Sequence, residues 1–329
     1  MPVIDAADPG QVERFYDDRY ETGYMTDWPS WKKRRIGELV RALGLPRTGR
    51  ALDFGCGQGV FTQVVKEALP EWDVHGCDLS PVAIELASRR FPGCRFHPVG
   101  DRHSDRFDLV LSHHVLEHVV DLSRTFDEMA RVAGPSARML HILPCGNPGS
   151  LEHRVASWRA GGVDAERGNR FWFEDEGHLR RLTTPEMESH LAAYGFRLVE
   201  ARYANQYHGT LEWVSTSSAG FIADFADPTR AVDSAARNEL ERLRARLQRL
   251  ARLRRIGAPR RPHSLRQAVS TALQIGLRQV GRAVDRYCIR RADREWRRHS
   301  RQPDGSEMYL CFERSRQGGE SQPGSAKRR

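Results

Sequence analysis

His113-His-Val-Leu-Glu-His118, near the first third of the chain, concentrates side chains able to move a proton or hold a metal. An imidazole titrates close to neutrality, so it can take up and return a proton under physiological conditions. His114, Glu117 and His118 are spaced i, i+3 and i+4, which on a helical turn would set them side by side. His178, carried by a later segment, is the candidate fourth member. Three imidazoles and one carboxylate would suit a divalent transition metal better than magnesium, which prefers oxygen. A second set of residues has different chemistry. Asp53 sits in Arg50-Ala-Leu-Asp-Phe-Gly-Cys-Gly-Gln-Gly59, Asp78 ends the stretch that begins at Trp72, and Asp101 follows Arg95-Phe-His-Pro-Val-Gly. Gly55 and Gly57 let the backbone approach a ligand closely, and an acid at a strand end can accept the ribose hydroxyls of a nucleoside.

These residues need a scaffold that brings them together. Short apolar strands at 51–54, 73–78, 95–99, 107–112 and 138–143 alternate with helical patterns. That alternation predicts a parallel sheet covered on both faces, with ligands at the carboxyl ends of its strands. Asp53, Asp78, Asp101 and His113 all fall at or beside such ends, so they converge on one crevice. Phe196–Ala204 reads as a sixth strand and Met308–Phe312 as a seventh, about 100 residues later. The predicted fold is α/β: a seven-stranded, mostly parallel, doubly wound sheet with helices on both faces and a helical insertion before the last strand.

The glycine spacing is G-x-G-x-G, not the G-x-G-x-x-G of nicotinamide enzymes. Asp53-x-Gly-x-Gly-x-Gly59 resembles the first motif of class I S-adenosylmethionine (SAM)-dependent methyltransferases, and the resemblance extends over about residues 10–205 and the strand near 307–314. It implies SAM as the cofactor, held by Asp53, Gly55, Gly57, Asp78, Leu79, Asp101, His113 and Tyr20, with Asp101 facing the adenine amino group. It also implies an aromatic leader, with Tyr16, Tyr20 and Tyr24, folded over the cofactor, and a small-molecule substrate. A hydroxyl acceptor must lose its proton, and His118 is the favoured base. The histidine-rich stretch is similar to that of ubiquinone-pathway O-methyltransferases and of small-RNA 3′-terminal 2′-O-methyltransferases. In both, Glu-x-x-Glu-His plus a later His binds a divalent metal. This sequence has His114 at the first Glu position, so the implied ligands are His114, Glu117, His118 and His178. Three readings follow: O-methylation of a natural-product, lipid or glycan intermediate; RNA 2′-O-methylation; and a SAM-binding scaffold without turnover.

Composition narrows the setting. The 329 residues are 39% apolar with a mean hydropathy of −0.62, and no run of about 18 apolar residues predicts a membrane span. Six cysteines without C-x-x-C pairs, and a start without a signal-like segment, predict a reducing cytoplasm. Residues 230–301 hold 21 Arg and six acids, a charge of +15 that leaves −6 for the rest. In that segment Leu240, Leu243, Leu247, Leu250 and Leu253, then Leu265, Val269, Ala272, Leu273, Gly276, Val280, Val284 and Tyr287, predict an αα-hairpin with one apolar face per helix. Those faces could close on each other, on a second subunit in a homodimer, or on an anionic membrane surface, giving a peripheral protein. No aromatics interleave Arg237–Arg261, which weighs against a nucleic-acid track. The expected organisation is a core at 1–205 with a lid at 144–181, a basic helical insertion at 206–305, a closing strand at 306–314 and a disordered tail at 315–329.

Overall fold

The computed structural model describes residues 9–23, 26–100, 106–175, 177–256 and 271–315. Two helices, α1 (Pro9–Glu21) and α2 (Ser30–Ala42), precede β1 (Arg50–Phe54). Then come α3 (Val60–Ala68), β2 (Asp73–Asp78), α4 (Pro81–Arg90), β3 (Arg95–Pro98), β4 (Phe107–His113), α5 (Leu122–Val132) and β5 (Ala133–Pro144). The segment after β5 contains α6 (Leu151–Trp158) and a two-stranded ribbon, β6 (Val163–Asp164) and β7 (Arg170–Phe171). It is followed by α7 (Thr184–Ala192), β8 (Phe196–Ala204), α8 (His208–Thr216), α9 (Ala219–Phe225), α10 (Ser234–Arg255), α11 (Thr271–His299) and β9 (Glu307–Arg314).

The large sheet has seven strands in the order β3-β2-β1-β4-β5-β9-β8. The first five are parallel, and β9 runs antiparallel to both of its neighbours. The predicted fold class therefore holds. Apolar residues cover both faces, because successive side chains of a strand point to opposite sides. Along β4, Val110 enters one core with Phe126 and Met129, while Leu109 and Leu111 enter the other with Ile36, Phe61 and Val64. Glu307 begins β9 and pairs in register with Pro144 at the end of β5. An antiparallel strand thus brings its first residue to the carboxyl ends of the parallel ones.

The insertion holds the expected helix pair, with α10 against α11 and Arg254 paired to Asp285, and adds to it. Residues 206–233 add α8 and α9, and a third core forms. Leu240, Leu243 and Leu247 of α10 are buried there with Leu211, Val214, Ile222 and Phe225, and with Leu151 and Val155 of α6. The α10 stripe is covered within the chain, mainly by α8 and α9 and also by the segment following β5. On α11 the predicted stripe is out of phase. Over 277–299, where its side chains are described, the buried residues are Gly281, Cys288, Ala292 and Glu295, whereas Val280 is 46% and Tyr287 57% exposed; Ala272, Leu273 and Gly276 fall outside that range. Small side chains let α11 approach closely: a Cβ on Gly281 would lie 2.8 Å from the carbonyl oxygen of Ile256. Glu295 is inward because its carboxylate accepts the Tyr207, His208 and Gly209 amides, the unpaired donors at the start of α8. Leu265, Val269 and the tail from 316 lie outside the described residues. No helix among the described residues is long and apolar enough to cross a membrane.

Candidate active site

β1 turns into α3 through three glycines with positive φ, at 72°, 51° and 78° for Gly55, Gly57 and Gly59. All three also lack room for a side chain: a Cβ on Gly59 would meet the Phe96 ring at 2.8 Å. A Cβ on Gly55 would meet Val115 at 2.5 Å, and one on Gly57 would meet the Tyr20 hydroxyl at 2.9 Å. Asp78, at the end of β2, ties this turn to the next: Oδ2 accepts the Gly57 amide at 2.8 Å and Oδ1 accepts the Ser80 amide at 3.0 Å. Ser80 in turn caps α4, accepting from Ala83, and donates to Asp17 of α1. The helix α1 is thereby drawn across the mouth.

Behind that mouth lies a cavity of about 490 Å³. Tyr20, Asp53, Gly55, Gly57, Asp78, Leu79, His113, His114, His118 and His178 all line it, so one space gathers those residues from five separate stretches of sequence. Asp101 and Tyr24 lie outside the described residues. Tyr16 also lines the cavity, as do Trp28 and Phe61. These last two pack on His113, at ring-centre distances of 4.8 and 4.0 Å. Burial there holds His113 well below the usual imidazole range.

Residues 114–118 form a turn rather than the expected helical turn. His114 takes the left-handed conformation, φ 53°, which breaks helical continuation. Glu117, His118 and His178 nevertheless converge, with one ligand-type atom from each within 4.8 Å of the others. Glu117 is 1% exposed; His114 Nδ1 lies against its Oε1, and Oε2 has no hydrogen-bond partner among the described residues. Burial works against its charge, yet His114, His118 and His178 bring it down to about 2. His118 donates from Nδ1 to the Gly177 carbonyl at 3.0 Å, and burial lowers its pKa.

His114 stands apart from that trio. Its Nδ1 lies 2.9 Å from Glu117 Oε1, but its Nε2 lies 2.9 Å from Glu307 Oε1. Burial and Lys32 oppose protonation, while the two carboxylates raise its pKa overall. Glu307 also takes Lys32 Nζ at 2.5 Å and the Tyr309 hydroxyl at 2.6 Å. Neither Lys32 nor Glu307 was singled out from the sequence. The usable signal for Glu307 is a lone acid opening an otherwise apolar strand, Glu307-Met-Tyr-Leu-Cys-Phe312, that returns beside the crevice.

Residues 29–201, more than half of the chain, match the family described as a methyltransferase domain. The chain belongs to the class I SAM-dependent methyltransferases. Among curated relatives, malonyl-[acyl-carrier protein] O-methyltransferase of Halorhodospira halophila is 30% identical over 161 residues, 46% of this chain and 53% of that one. Trans-aconitate 2-methyltransferase of Methylobacterium nodulans is 25% identical over 220 residues, 62% of this chain and 83% of that one. The chain spans about half the length of the first of these. Among solved structures, the [4+2]-cyclase SpnF superposes with a TM-score of 0.50 at 16% identity, covering 93% of this chain and 97% of that one. That likeness concerns the fold alone, and a neighbour titled as a cyclase is a reminder that a fold does not fix a reaction.

SAM is the cofactor of this methyltransferase family, and the residues present fit it. The glycine cradle is held in shape by its own amides, Gly55 and Cys56 on the Cys77 carbonyl and Gly57 on Asp78, and two buried acids, Asp53 and Asp78, stand at the strand ends. Burial pushes Asp53 up to about 7, against the hydrogen bond it accepts from Thr62, with the Asp78 charge adding to the rise. A carboxyl whose folded pKa exceeds its unfolded one stabilises the fold most at low pH, and the contribution disappears as pH rises through the folded value. The cofactor-free protein is therefore expected to lose thermal stability between about pH 4 and about pH 7 from this group, and Asp53→Asn to flatten that slope. Melting curves across that range, compared between the two proteins, check it. Equal slopes would show that Asp53 is ionised throughout.

Proposed function

We propose that this methyltransferase transfers the SAM methyl group to a hydroxyl of a small, largely apolar molecule, such as a natural-product, lipid or glycan intermediate, with His118 as general base. The observation that carries the reading is the bond from His118 to Gly177. A carbonyl oxygen only accepts, so Nδ1 holds the ring proton and Nε2 keeps its lone pair. The lowered pKa of His118 keeps the ring neutral and ready to take a proton at Nε2. SAM, when bound, supplies an electrophilic methyl group on a sulfonium. The chain does the rest: Asp78 and the glycine turn bind, Tyr16 and Tyr20 on α1 cover, and His118 accepts the hydroxyl proton.

The acceptor chemistry follows from the walls. Malonyl and aconitate, named in the two relatives, are acids that need no base and call for cations. Among the described residues lining this cavity, Arg124 is the one Arg or Lys, while Tyr16, Trp28, Phe61 and Val115 offer flat apolar surface. Such walls favour a ring or chain bearing a hydroxyl. Methyl transfer from labelled SAM to pools of hydroxylated arenes, polyketide-like lipids and short carboxylic acids tests the reading. Labelling confined to the carboxylic acids would overturn it.

Glu117 supports a second, metal-assisted reading. A buried carboxylate whose Oε2 has no hydrogen bond among the described residues, beside the imidazoles of His118 and His178, is a donor set for a first-row transition ion. Glu117, His118 and His178 would hold it, and it would lower the pKa of a bound hydroxyl. Calorimetry with Mn²⁺ and Zn²⁺ is expected to give one equivalent bound, lost in Glu117→Gln. No heat of binding, together with turnover indifferent to a chelator, removes the metal and leaves His118 as the base alone.

A further inference from the structure

A line of buried charge runs from the insertion into the site. Trp213 on α8 donates its indole N–H to Glu152 Oε1 at 3.0 Å, and Ser306, just before β9, donates to the same oxygen at 2.7 Å. The other oxygen of Glu152 takes Arg181 Nη2 at 3.0 Å. Arg181 passes on through Nε to Glu174 Oε1 at 2.8 Å, and its guanidinium lies 4.0 Å above the Phe171 ring. Glu174 Oε1 is 3.6 Å from His178 Nδ1, a nitrogen buried without a hydrogen bond among the described residues. The charged side chains between the two ends are almost wholly enclosed, at 4–5% for both Arg181 and Glu152 and 3% for Glu174.

Stability alone is a weak reason for such a line. Taking three charges out of water costs about as much as their pairing returns, and an apolar packing of equal volume would serve the fold as well. Direction is what apolar packing would not supply. A guanidinium fork fixes two carboxylates at set angles, and here it fixes one on the insertion side and one in the segment that carries His178. The third core has the same reach, since α10 packs on α6.

We propose that the insertion sets the acceptor side of the active site from behind the cavity wall, and that Glu152, Arg181 and Glu174 are positioning residues that pass the placement of α8 on to His178. This rests on the methyltransferase reading above. Among the residues expected to hold the cofactor, Asp53, Gly55, Gly57, Asp78 and Leu79 lie on β1, β2 and the turns after them, outside the segment that carries this line. The positioning chain therefore bears on acceptor handling and leaves SAM binding alone.

Trp213→Phe removes the indole donor and keeps an apolar ring in place. In the full chain, hydrogen exchange over residues 177–182 is expected to quicken at least tenfold, with the calorimetric Kd for SAM within twofold of wild type. Glu152→Gln, which keeps the shape and removes the charge, should act in the same direction. Arg242→Ala, in an exposed pair with Glu239 on α10, should change neither. With any hydroxylated acceptor that the wild type methylates, Trp213→Phe should raise the acceptor KM and lower kcat, leave the SAM KM unmoved, and be non-additive with His178→Ala. Unchanged exchange at 177–182, an additive cycle, or a loss of SAM affinity as large as the acceptor effect overturns the proposal. Failure to find any acceptor counts against the hydroxyl reading alone, because the exchange experiment contains only the chain and SAM.

Discussion

His118→Ala is expected to slow methyl transfer by about 10²–10⁴-fold, the usual worth of a positioned general base, while SAM still binds. The split between the two effects follows from where the ring is anchored. Its Nδ1 proton is spent on Gly177 and its edge meets the Tyr16 ring at a 5.9 Å centre distance, so the side chain is held by α1 and the segment after β5 and not by the glycine turn. The cofactor turn of Gly55 and Gly57 is fastened by Asp78 and does not depend on it. Removing the imidazole takes away a proton acceptor and little of the cofactor cradle. Initial rates with labelled SAM at saturating acceptor, with calorimetry for SAM alone, separate the terms. Wild-type turnover in the variant would end the assignment of His118 as the base. A matching loss of SAM affinity would make it a binding residue.

Asp78→Ala should weaken SAM binding at least about tenfold, and nearer a hundredfold if both ribose hydroxyls use it, since each charge-assisted hydrogen bond contributes about 1.5–3 kcal/mol. A second effect adds to the first. Both oxygens of Asp78 also hold backbone amides, those of Gly57 and Ser80. Without them the turn between β1 and α3 loses its tie to the start of α4, and the cradle around the ligand loosens. Asp78→Asn retains an acceptor oxygen and should fall between wild type and alanine. Calorimetry on the three proteins gives the order, and an alanine variant with wild-type affinity would remove Asp78 from the cofactor site.

The legibility of this molecule divides by range. The sheet and the glycine turn could be read because each depends on a few neighbouring residues: an apolar run, a positive-φ glycine, an acid at a strand end. The neighbours of His114 could not be read that way. Lys32 and Glu307 reach it from positions 82 and 193 residues away, and no spacing rule connects them. Local chemistry misleads when two answers lie one residue apart. Thr184 next to Pro185 resembles a helix cap, but Thr183 is the cap, in a reciprocal pair with Glu186, and Thr184 is turned inward to Asn147 and Tyr203. On α11 the larger apolar residues suggested the buried face, whereas the small ones took it because helix approach there is limited by backbone contact. In α10 the leucine period was sound, and what it lacked was the identity of the surface it would meet, supplied mainly by α8 and α9 and in part by a segment 80 to 100 residues earlier.

β9 joins β8 to the rest of the sheet, and of the sheet's seven strands it leaves the ribosome last. About 100 residues of insertion separate the two in the chain. At roughly 5–20 residues per second, β8 waits about 5–20 s without its partner, a bare edge of the kind that invites wrong pairing. The helices made during that wait have something to fold against, because α10 meets α6, which is already present. The insertion thus has the makings of a holding structure during synthesis, keeping β8 close until Glu307 arrives. A chain stopped anywhere before that residue would lose two strands instead of one, together with the carboxylate that pairs Lys32 and His114, so premature termination there should yield an aggregating product rather than a slow enzyme.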